Sequence, residues 1–131
     1  MTFRFFIFIP LLLAGCAAPH QQGDALAADD HAALETGRNI LAVDRALQYE
    51  FALPENPSPA EVARAGELTG EMVRVGQITS LYPWVSARIN LEISTAESLL
   101  RDTHPDDARA RQLDNRIKYL QRVKLLIDAP E

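Results

Sequence analysis

The chain has 131 residues, 47% of them hydrophobic and 24% charged, with 13 basic against 18 acidic side chains and a net charge of -5. That balance argues against nucleic acid or an anionic lipid surface as the main partner, because both require a cationic face. One cysteine excludes a disulfide within the chain, and the length suits a single domain.

The first 15 residues have the three parts of an export signal. Arg4 supplies positive charge, Phe5-Phe6-Ile7-Phe8-Ile9-Pro10-Leu11-Leu12-Leu13 an apolar segment, and Ala14-Gly15 the small residues before a cut. Nine apolar residues span about 13 Å as a helix, against a hydrocarbon layer of about 30 Å, so this segment is too short to anchor the chain by crossing a membrane. Pro10 weakens it further as a helix.

Leu13-Ala14-Gly15-Cys16 resembles the lipobox of bacterial lipoproteins. The resemblance implies cleavage between Gly15 and Cys16, diacylation of the Cys16 thiol and often acylation of the new amino group. One acyl chain holds a protein only marginally, whereas two or three make a lasting anchor. Ala17 and Ala18 follow the cysteine where inner-membrane lipoproteins of some diderm bacteria carry Asp. The resemblance therefore favours the outer membrane, facing the periplasm.

Loss of residues 1–15 removes one charge, Arg4, leaving a net of -6 on the remaining 116 residues. Residues 16–24 read as the lipidated cysteine and a flexible tether, with Pro19 and Gly23 as breakers, and residues 25–131 as a helical domain.

Four helices are predicted. The first runs from about Ala25 or Asp30 to Phe51, with Ala33, Ile40, Val43, Leu47 and Phe51 on one stripe; Pro54 and Pro57 end it. The second opens at Ser58-Pro59-Ala60-Glu61, a capping box with proline in the first turn, and buries Val62, Ala65, Leu68, Met72 and Val75. Gly66 and Gly70, four apart, predict close approach of a neighbouring backbone or ring, and Gly76 marks the end.

The third helix, Pro83 to about Arg101, carries Val85, Ile89, Ile93, Ala96 and Leu100, with Arg88 and Glu92 spaced to pair. Tyr82 and Trp84 crowd its start as either a cap on the bundle or a contact for a partner protein. In the following turn Thr103 is the expected cap, with Pro105, Asp106 and Asp107 in the first turn of the fourth helix. That helix buries Ala110, Leu113, Ile117, Leu120, Val123 and Ile127 and holds most of the basic residues, including Arg109, Arg111, Arg116, Lys118, Arg122 and Lys124. A solvated or internally paired face is expected of them.

Short connections make successive helices antiparallel, so the fold class is all-α: a four-helix bundle or two stacked helical hairpins. The histidines, His20, His31 and His104, form no metal-ligand pair with one another, and no phosphate loop or nucleophile elbow is present. No enzyme, metal or cofactor is expected.

Ser58-Pro59-Ala60-Glu61-Val62-Ala63-Arg64, Ala87-Arg88-Ile89-Asn90-Leu91 and Asp106-Asp107-Ala108-Arg109-Ala110 are similar in order and spacing to small helical lipoproteins encoded beside a sensor histidine kinase. That resemblance implies a role in envelope signalling. The expected function is a non-catalytic helical interaction module: membrane through acyl chains on Cys16, an envelope protein as partner, Tyr82 and Trp84 as candidate contacts. The alternative is a carrier of a small apolar ligand or lipid, in a cavity lined by Leu68, Met72, Ile89 and Ile93.

Overall fold

The structure, a computed structural model, describes residues 23–129, with side chains from residue 27 onward. Cys16, Gly15 and the expected signal and tether up to residue 22 lie outside the described residues. The described chain is an all-α helical bundle: α1 (Gly23–Ala52), α2 (Pro59–Gly76), α3 (Tyr82–Arg101) and α4 (Ala108–Asp128). Helix α1 therefore starts two residues earlier than the expected domain boundary, and Gly23 opens the helix instead of breaking it. None of the described helices is long and apolar enough to cross a membrane.

Backbone contacts divide the chain into two units, residues 1–38 and 39–131, and α1 begins in the first and ends in the second. Within the first unit, Ala27 to Thr36 are all exposed, Ala33 and Leu34 included. Ala33 is thus not the buried member of a stripe that its spacing implied.

The second unit holds the core. From α1 come Val43, Ala46 and Leu47, from α2 Leu68, Met72 and Val75, from α3 Val85 and Ile89, and from α4 Tyr119, Leu120, Val123 and Ile127. Ala96, Leu113 and Ile117 form a second cluster between α3 and α4. All six residues expected on the buried stripe of α4 are buried. Val62, expected to be buried on α2, is 55% exposed.

Local chemistry sets the helix ends. At α2 the Glu61 amide donates to Ser58 Oγ at 3.2 Å while the Ser58 amide donates to Glu61 Oε1 at 3.0 Å, so both halves of the capping box are closed. The reciprocal bonds hold the Glu61 carboxyl below its usual range. At α4 the cap is Asp107, whose carboxylate accepts from the Arg109 amide at 3.0 Å. Thr103, the expected cap, instead donates its hydroxyl to the Leu99 carbonyl at 2.7 Å, closing the end of α3. A hydroxyl within reach of a last-turn carbonyl satisfies an orphan acceptor there, which leaves the aspartate nearer the new helix to cap it.

The glycines of α2 separate by environment. A Cβ on Gly66 or Gly70 would meet nothing within 4 Å, so no neighbour comes close at either, contrary to expectation. Close approach occurs at Gly76, which is buried beneath Ile127.

Contacts between helices are polar at their margins. Thr69 and Tyr119 share a hydrogen bond of 2.7 Å between α2 and α4. Arg88 donates to Asp44 of α1 at 2.9 Å and to Glu92 of its own helix at 3.1 Å, so a pair foreseen within α3 also ties α3 to α1. Lys124 donates to Asn90 at 2.9 Å across α3 and α4.

Candidate functional site

Residues Tyr82 and Trp84 open α3 but do not form one surface. Two positions on a helix are about 200° apart, so their side chains leave in nearly opposite directions. Trp84 is half-buried and packs against the core, as does the neighbouring Leu81. Tyr82 is 40% exposed, and its hydroxyl donates to Asp128 Oδ1 at 2.8 Å, pinning the start of α3 to the end of α4. That hydrogen bond and the carboxylate charge raise the phenol above its usual pKa. Tyr82 also borders a shallow depression with Gln77, Thr79, Ile127 and Ala129.

Neither described histidine stands in a cluster of candidate ligands. His31 is exposed, and His104 Nδ1 accepts from the Asp106 amide at 3.3 Å within its turn. Among the described residues no group of three or more His, Cys, Asp or Glu side chains could hold a metal ion. Leu68, Met72 and Ile89 pack into the main cluster, with Ile93 against it, and none of the four borders the depression beside Tyr82.

The basic side chains of α4 are unequal. Lys118 pairs with Asp114 at 2.8 Å, and Arg111 lies 3.6 Å from Glu55. Both pairs are exposed, where such contacts contribute little. Arg116 differs: its guanidinium carbon lies 3.6 Å from the centre of the Phe51 ring. It has neither an ion-pair partner nor a hydrogen bond among the described residues. Partial burial is the main influence on its charge and lowers its pKa, the pull of Glu92 opposing and the push of Arg109 adding to it.

Phe51 and Arg116 border a cleft of about 270 Å³ between the connection that follows α1 and the first half of α4. Leu53, Pro54 and Pro57 supply apolar lining, and Arg111, Gln112, Asn115 and Arg116 polar lining, together with Glu50 and Glu55. The helix ends where Pro54 forbids continuation, and the connection bends at Glu55 and Asn56 before Pro57. Glu50 is partly desolvated there, which raises its pKa, while the charge of Arg122 lowers it by a smaller amount.

The basic helix is legible in the sequence, whereas this cleft is not. One signal was present: Gln112, Asn115 and Arg116 stand at i, i+3 and i+4, which puts three hydrogen-bonding side chains on one face beside the apolar stripe. Phe51, 65 positions before Arg116 in sequence, had no local mark that would join it to them.

No protein-family model, curated protein or solved structure matches the chain.

Proposed function

We propose that this chain is a lipid-anchored, non-catalytic interaction module of the bacterial cell envelope. The observation that carries the reading is Leu13-Ala14-Gly15-Cys16 at the end of a short apolar run that follows a single basic residue. Acyl chains on Cys16 hold the helical body at the membrane, and Ala17 and Ala18 direct it to the outer membrane facing the periplasm. A helical bundle with core polar groups satisfied is a suitable body for docking to an envelope protein, such as a sensor or a membrane complex.

Tyr82 is the better placed of the two aromatic contacts, since Trp84 is committed to the core. The module has no nucleic-acid partner in this reading, given its acidic balance.

The test combines address and contact. Cells fed labelled palmitate are expected to incorporate it into the full-length chain but not into Cys16→Ser, with the parent fractionating with membranes and the variant released. A photocrosslinker in place of Tyr82 is expected to capture one envelope protein. Label retained by Cys16→Ser, or an unmodified parent in the cytosol, would overturn the reading.

A further inference from the structure

We propose that the cleft between the α1–α2 connection and α4 is a carboxylate-binding site, in which the Arg116 guanidinium, laid against the Phe51 ring, takes both oxygens of a ligand carboxylate. The guanidinium carbon lies over the ring at 3.6 Å, a contact that uses the face of the group and not its N–H donors, which suit a planar acceptor. A carboxylate matches that fork with two parallel hydrogen bonds.

Three further observations support it. Arg116 is half-buried with no carboxylate in ion-pair contact among the described residues, so it bears a desolvation cost that the charge of Glu92 offsets only in part and an incoming anion would reduce. Gln112 and Asn115 line the same cleft with side-chain amides that make no hydrogen bond among the described residues, and these suit the peptide or hydroxyl groups next to a carboxylate. Leu53, Pro54 and Pro57 offer an apolar wall to the rest of the ligand.

The charges select the class of anion. Arg111 is already faced by Glu55 at 3.6 Å, and Glu50 also lines the cleft, so the lining holds two acids and two bases. Beside two glutamates a doubly charged phosphate meets about twice the repulsion that a singly charged carboxylate does, while the carboxylate matches the guanidinium fork as well. The carboxylate comes either from a peptide, at its end or on an acidic side chain, or from a free small acid. The inference rests on the chain being a binding module and is independent of the lipid on Cys16.

The experiment is a titration of the isotope-labelled full chain in detergent micelles, read by NMR, with N-acetyl-alanyl-alanine, its C-terminal amide, acetate and inorganic phosphate as probes. The free acid is expected to shift Arg116, Gln112 and Asn115 signals and to bind at least about tenfold tighter than the amide. Arg116→Lys, which keeps the charge but loses the fork, is expected to weaken the acid about tenfold with an unchanged melting temperature. Lys118→Gln serves as the control and is expected to bind as the parent does. Dipeptide tighter than acetate supports a peptide as the source, and equal binding supports a small acid. No binding, equal binding of acid and amide, tighter binding of phosphate, or full affinity in Arg116→Lys would overturn the site. If Arg116→Lys fails to fold, the acid and amide compared on the parent chain decide. Each of these failures leaves palmitate incorporation at Cys16 unaffected, so loss of the site and loss of the lipoprotein reading are told apart.

Discussion

Gly76 at the end of α2 lies directly under Ile127 of α4: a Cβ placed on the glycine would stand 2.6 Å from Ile127 Cδ1, 2.8 Å from Cγ1 and 3.2 Å from Cγ2. Three atoms of one β-branched side chain crowd the position, so no single rotamer change clears it. The glycine is there for space, since no described glycine has a positive φ. Gly76→Ala is expected to destabilise the chain by about 1–2 kcal/mol, the overpacking outweighing the gain in helix propensity. Ile127→Val in the same chain is expected to recover part of that loss, visible as non-additivity in urea melts.

The reverse holds at Gly66 and Gly70. Both are exposed in the interior of α2 with nothing within 4 Å of an added Cβ. Each change to Ala is expected to stabilise by about 0.5–1 kcal/mol, because the only difference is backbone freedom. A loss of stability at either would mean that a neighbour covers that face in solution, and an ultracentrifuge run on the same samples would reveal it.

Much of the fold was legible because apolar spacing is local information. The stripe of α4 was read residue by residue from Ala110 to Ile127, and Ser58 to Glu61 located the start of α2, since both depend on side chains only a few positions apart. Periodicity names a face but does not say whether anything lies over a given stretch of it, which is why Ala33 and Val62 were read as buried and are exposed. Tyr119 fell outside the apolar stripe, yet it is buried, its hydroxyl sharing a hydrogen bond with Thr69 of another helix. The cleft was hidden for the same reason: it joins Phe51 to Arg116 across a connection whose path only the folded chain defines.

The Thr69 and Tyr119 hydroxyls, 2.7 Å apart, form the polar tie between α2 and α4. Tyr119→Phe keeps the ring in the core and removes the bond, and it is expected to cost about 1 kcal/mol in a urea melt. The double variant with Thr69→Val is expected to lose little more, because neither partner is then left unsatisfied.

Glu50 gives the chain a pH signature. Its folded pKa is raised, chiefly by desolvation, so its contribution to stability is complete below the unfolded value near 4.5 and is lost as pH rises through the folded one. At pH 7 the folded chain holds a partly desolvated carboxylate that glutamine would not impose. Glu50→Gln is therefore expected to melt at a higher temperature than the parent at pH 7 and at the same temperature at pH 3. A variant that melts lower at pH 7 would show that the attraction of Arg122 outweighs the burial.

The claim on which the functional account turns is chemical and sits at one atom, Cys16 Sγ. Intact mass spectrometry of the chain extracted from membranes of an expressing bacterium reads it directly. The expected species begins at Cys16 and carries the added mass of a diacylglyceryl group, with or without a further acyl chain on its amino group. A chain that still begins at Met1, or one that begins elsewhere with an unmodified cysteine, would contradict the account.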